Sequence, residues 1–119
     1  MHYSLLIYQT ASQFADRTDP AHRDAANGAF GRYVGTLQGA GILLTTLGIE
    51  PPDTTTTVRS GAGAPRVEPG PHAHTTAQLG GVCIIDVPDQ DAAVAWAKRA
   101  PFDHCDVVEV RPTRVVPSA

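Results

Sequence analysis

What most restricts the fold of this chain is the order in which two hydrophobic periods alternate along its 119 residues. YSLLIY, Tyr3–Tyr8, has the two-residue period of a half-buried strand, with Tyr3, Leu5 and Ile7 on one face and Ser4, Leu6 and Tyr8 on the other. After a polar loop the period becomes helical. Asp19 is placed to cap, Pro20 to fill the first helical position and Gly41 to end the helix, while Ala26, Phe30, Tyr33, Val34 and Leu37 fall on its core side. ILLTTLGIEPP predicts a second strand stopped by Pro51 and Pro52. TTTTVRS and RVEPG, either side of GAGAP, predict a hairpin over Thr55–Glu68. LGGVCIIDV has the unbroken apolar content of a central strand. PDQDAAVAWAKRAP is a short amphipathic helix burying Ala93, Val94, Trp96 and Ala97, and DVVEVRPTRVV is a last strand.

With the hairpin set aside, the order is βαββαβ. This is the ferredoxin-like arrangement of the α+β class, in which both helices cover one face of a four-stranded antiparallel sheet. The other face is left bare and partly apolar. The expected assembly is therefore a homodimer that pairs these faces, a dimeric α+β barrel. Gly28, Gly31, Gly35 and Gly39 fall on one stripe of the first helix, which predicts either close backbone packing or room for a ligand.

The length suits one domain over residues 1–119, and 42% hydrophobic content supplies a single small core. The net charge is −3, and the nine basic residues, eight of them arginine, are scattered, which argues against a nucleic-acid partner. No segment approaches the ~20 apolar residues of a membrane span, and MHYSLLIYQT lacks the basic start of a signal peptide. With only Cys83 and Cys105 and no CxxC spacing, the expected location is the cytoplasm. Phosphate loops, dinucleotide fingerprints and nucleophile elbows are missing from the sequence, so no cofactor is expected.

The chemistry-bearing stretch is PGPHAHTTAQLGG, Pro69–Gly81. On an extended backbone His72 and His74 share a face, and two close imidazoles separate each other's pKa values into one acid and one base. Acid–base catalysis, a solvated loop and metal binding are the three readings. The last lacks a third and fourth ligand at zinc spacing, so no metal is expected. His104, beside Asp103 and Cys105, is a third catalytic candidate. Tyr8, Tyr33 and Arg59 are candidates for binding a small-molecule substrate between the sheet and the first helix.

MHYSLLIYQT, GILLTTLGIEPPDTTTTVR, QLGGVCIIDVPDQDAAVAWAKRAP and VVEVRP resemble, in order and spacing, the YCII-related proteins of the DGPF subgroup. The resemblance runs over roughly Met1–Pro112 and implies a small dimeric α+β barrel. Where that subgroup reads Asp-Gly-Pro-Phe, this chain has Pro69-Gly70-Pro71-His72, and His74 replaces a glutamate. Asp86 and Glu109 match the family's pattern as strand-end acids, placed to cap the following helix or to pair with Arg111. The resemblance implies lyase-like relatives with a suspected His-Asp pair. The leading expectation is a small, cofactor-independent bacterial biosynthetic enzyme, an isomerase, cyclase or lyase using histidine acid–base chemistry on a secondary metabolite. The competing expectation is a non-catalytic dimeric ligand-binding or accessory module, possible regulation included.

Overall fold

A computed structural model describes residues 1–117. Strand β1 (His2–Thr10) alternates strictly, with Tyr3, Leu5, Ile7 and Gln9 buried and the residues between them half-exposed. The chain then turns directly into a short helix, α1 (Ala11–Asp16). A polar loop is expected there from the sequence; a capping box makes the helix instead. Thr10 accepts from the Gln13 N–H at 3.3 Å while the Gln13 side chain accepts from the Thr10 N–H at 2.8 Å, and Phe14 anchors the turn in the interior.

Helix α2 (Arg23–Gly39) starts later than expected. Asp19 and Pro20 lie in the preceding turn, because the Asp19 carboxylate bonds the His22 ring and does not cap a backbone N–H. The far end is as expected, with Gly41 at φ 72° just past the helix. Ala26, Tyr33 and Leu37 are buried on the core side and Phe30 packs against them. Close backbone packing, one of the two expectations for the glycine stripe, is not met: a Cβ at Gly31, Gly35 or Gly39 would meet nothing within 4 Å, and one at Gly28 only the Arg32 side chain.

Strand β2 (Leu43–Gly48) follows, then a 3-10 turn over Pro52–Thr54 and a separate two-stranded hairpin of β3 (Thr56–Arg59) and β4 (Arg66–Pro69). Strand β5 (Ala77–Asp86), helix α3 (Gln90–Ala97) and β6 (Val107–Thr113) complete the chain. The main sheet has the order β2-β5-β1-β6, antiparallel throughout, which is the ferredoxin-like α+β fold. α3 is capped by Asp89, which accepts from the Ala92 N–H at 2.8 Å. Asp86 neither caps it nor reaches Arg111; it accepts from the Met1 amino group at 2.8 Å.

The core fills one face of the sheet, where Leu5, Cys83 and Ile85 meet Tyr33 and Leu37 of α2 and Ala93 and Ala97 of α3. On the opposite face Ser4, Leu6 and Tyr8 lie beside Ile84, Val82 and Leu79, with no helix above them. Among the described residues no helix is long and apolar enough to cross a membrane.

Candidate functional site

Helix α2 does not close fully on the sheet. Between it and strands β1, β5 and β2 lies a cleft of about 200 Å³, walled by Ile7, Phe30, Tyr33, Val34 and Cys83 and reaching the exposed edge strand β2 at Thr46. A cavity of ~150 Å³ with apolar walls holds one benzene ring, so this space suits a molecule of about that bulk with a small substituent.

The polar end of the cleft has a definite construction. Gln9 continues the buried phase of β1 and is only 3% exposed, so its carboxamide needs partners. Its Nε2 donates to the His104 carbonyl at 2.9 Å, and its Oε1 accepts from Arg17 Nη1 at 3.4 Å. Space for it comes from a bulge in the β1–β5 ladder, where Ile7 pairs with Gly81 and Tyr8 with Leu79, leaving Gly80 between them. A Cβ on Gly80 would overlap Gln9 Oε1 and stand 3.0 Å from its Cδ and 3.1 Å from its Cγ.

Arg17 folds back from the end of α1 over the Phe14 ring, and its Nη1 also donates to the Ile49 carbonyl at 2.7 Å. Asn27 of α2 donates to the Arg17 carbonyl at 3.2 Å. Gln9, Arg17 and Asn27 all line the cleft, opposite its apolar walls.

Two further groups in the cleft wall hold protons tightly. The Tyr33 hydroxyl donates to the Trp96 carbonyl at 2.8 Å, and burial holds its pKa above the ordinary phenol value. Burial also raises the Cys83 thiol, opposed by its 3.4 Å contact with Thr46 Oγ1. The lining contains neither histidine nor carboxylate.

The YCII-related domain model matches residues 1–116 of this chain. The chain belongs to the YCII-related family. Comparison with curated proteins gives no match.

In this YCII-related chain the residues singled out from sequence are dispersed. His72 and His74 are both exposed, and the backbone bends at His72 and Ala73, beyond Gly70 at φ 91° where the chain leaves β4. The face-sharing argument for the pair therefore loses its premise. Instead, His72 meets Arg59. Arg59 Nη1 donates to His72 Nδ1 at 2.7 Å and Nη2 to its carbonyl at 3.3 Å, while Nε holds Glu68 at 2.8 Å. A guanidinium only donates, so Nδ1 is an acceptor and the proton of the neutral ring sits on Nε2.

His74 lies in another depression, with Phe14 and Pro71, which shares Gln9 with the cleft. His104, in the loop before β6, has its Nδ1 buried without a partner. Its neighbour Cys105 is buried, with the thiol pushed up to about 11, and makes no nucleophilic pair with it.

Of the three binding candidates, Tyr33 lines the cleft. Arg59 belongs to the hairpin, and Tyr8 is on the helix-free face, donating to Glu109 at 2.6 Å. That bond raises the Tyr8 pKa and lowers that of Glu109, which Arg111 also approaches at 3.3 Å.

Sequence reasoning passed over Gln9, Arg17 and Asn27. A polar residue in phase with Tyr3, Leu5 and Ile7 was the available signal for Gln9. Nothing local marks the other two. His22 also gains partners unforeseen from sequence: Asp19 bonds its Nδ1 and Asp16 approaches at 3.7 Å, which together raise its pKa.

Proposed function

We propose that this YCII-related chain binds a small, largely apolar molecule in the cleft beneath α2 and works as a homodimer. One observation carries the reading: apolar walls on five side chains converge with a polar end fixed by the buried Gln9, which is how small-molecule sites orient a ligand. Pairing of the helix-free sheet faces is supported by Leu6, Val82 and Ile84 across β1 and β5, by Leu47 at 60% exposure and by Val107 at 43%. Titration of single-ring fragments into the ¹⁵N-labelled protein tests the reading. Amide shifts should concentrate at Ile7, Phe30, Tyr33, Val34 and Cys83, and binding that perturbs only other surfaces would refute it.

A catalytic role, in cyclisation, isomerisation or dehydration without a cofactor, is a second reading with its own observation. His74 lines a neighbouring depression that shares Gln9 with the cleft, so its exposed imidazole is the proton carrier assigned under this reading, and His72 steadies the loop through Arg59. For a ligand that is turned over, His74→Ala should lower the rate by about 10²- to 10⁴-fold. Unchanged turnover in His74→Ala and His74→Gln would remove histidine catalysis and leave the binding reading intact.

A further inference from the structure

Resting on the binding reading of the cleft, we infer that its ligand is a monocarboxylate of about one ring's bulk, whose carboxylate is received by Arg17. The argument begins with how the guanidinium is used. Both of its hydrogen bonds, to the Ile49 carbonyl and to Gln9, come from Nη1. The Nε–Nη2 edge, the fork that matches a carboxylate with two parallel N–H bonds, has no acceptor among the described residues. Nor does Arg17 form an ion pair with any described carboxylate, whereas Arg59, Arg66 and Arg111 each do.

The free edge lies beside bare backbone. Nη2 sits 3.6 Å from where a Cβ on Gly48 would stand, and Gly48 lines the cleft, so no side chain there intrudes on the space next to the cation. Nη1 is pinned by a buried carboxamide and a backbone carbonyl, and the ring of Phe14 lies beneath the guanidinium. The cation is thus already oriented before any ligand arrives, which reduces the ordering cost of binding. Glu50 is the acidic residue facing Arg17 from outside, across the adjoining depression that both line. It is exposed, and neutralising it should favour an anion at Arg17.

The bulk follows from volume. With about 200 Å³ and walls of Phe30, Tyr33, Val34, Ile7 and Cys83, the cleft takes a ring, and the polar end accepts one small charged group.

The test compares phenylacetate with phenylacetamide, which has the same shape without the charge, by ¹⁵N NMR titration of the full chain. Phenylacetate should bind at least about tenfold more tightly and shift the Arg17 Nε resonance. Arg17→Gln should bring the two affinities together, Arg17→Lys should keep part of the preference, and Glu50→Gln should tighten phenylacetate alone. Equal affinities in the unmodified protein would overturn the carboxylate assignment while leaving the cleft as a ligand site, and this comparison holds even if an Arg17 variant fails to fold. If neither compound shifts the cleft amides, the binding reading fails and the assignment falls with it.

Discussion

Adding one methyl group at Gly80 should disassemble the polar end of the cleft. The new Cβ would stand 3.0 Å from Gln9 Cδ and closer still to Oε1, and Gln9 is nearly inaccessible, so its carboxamide has to leave its present place. Leaving breaks the bond to the His104 carbonyl and the bond from Arg17. Each is worth about 0.5–1.5 kcal/mol net, and the part-buried His104 carbonyl left without its donor adds about 1 kcal/mol, the low end for such a loss. Against this, Gly→Ala gains about 0.4–1 kcal/mol by restricting the unfolded chain. The balance for Gly80→Ala is a loss of roughly 1–3.5 kcal/mol, a fall in Tm of roughly 4–15 °C for a chain of this length. Urea denaturation of Gly80→Ala, Gln9→Ala and the double variant measures it. With Gln9 already truncated the methyl has nothing to displace and only its gain remains, so the coupling energy should equal the whole displacement cost, about 2–4 kcal/mol. A cost for Gly80→Ala that is below ~0.5 kcal/mol, or that is unchanged when Gln9 is truncated, would show that the contact is not what Gly80 provides.

The His22 ring should titrate above its ordinary value near 6.5 in an NMR pH series, and Asp19→Asn should bring the midpoint down. Because the folded value is the raised one, the associated stability is complete below the unfolded value and is lost as pH rises through the folded one. Cys83 and Cys105 should resist a thiol reagent at neutral pH in the folded protein and react promptly in urea, since burial raises both thiols; stoichiometric labelling of the native chain would contradict this. Leu6→Asp, on the helix-free sheet face, should convert a dimer to a monomer in sedimentation, and a native chain already monomeric at micromolar concentration would remove the dimer.

The sheet and its two principal helices were legible because each has a clear hydrophobic period, and Gly41 ended α2 where a left-handed residue was wanted. Helix α1 was passed over because its six residues bury only Phe14, although Thr10 and Gln13 carry the spacing of a capping box. The start of α2 moved because Asp19 had two possible uses, a backbone N–H or an imidazole, and their competition is settled in three dimensions. Of the cleft walls only Tyr33 was singled out as a binding residue, Phe30 and Val34 being placed in the core, and the polar end was hidden. Tyr33 follows from the helical face it occupies. Arg17 reaches the Ile49 carbonyl, a contact set where the chain leaving β2 passes the end of α1, which no local pattern records. The shared face expected of His72 and His74 is not met, because the rule placing alternate residues on one face holds only for extended backbone and the chain bends at His72 and Ala73.

The strand order β2-β5-β1-β6 also governs how the chain comes together in time. β1 and β2 precede the hairpin and β5 and β6 follow it, so every ladder of the main sheet joins an early strand to a late one. Neither half has a sheet of its own. During synthesis the first sixty residues can form helices but no ladder, and the sheet closes only after β5 emerges, a single cooperative event dominated by distant pairings and correspondingly slow. The hairpin tip at Gly61–Ala64, exposed and between the halves, is a place where a cut leaves every strand of the main sheet whole. Two fragments divided there interlock strand by strand, each supplying the neighbours the other lacks, and should regain the fold only when mixed.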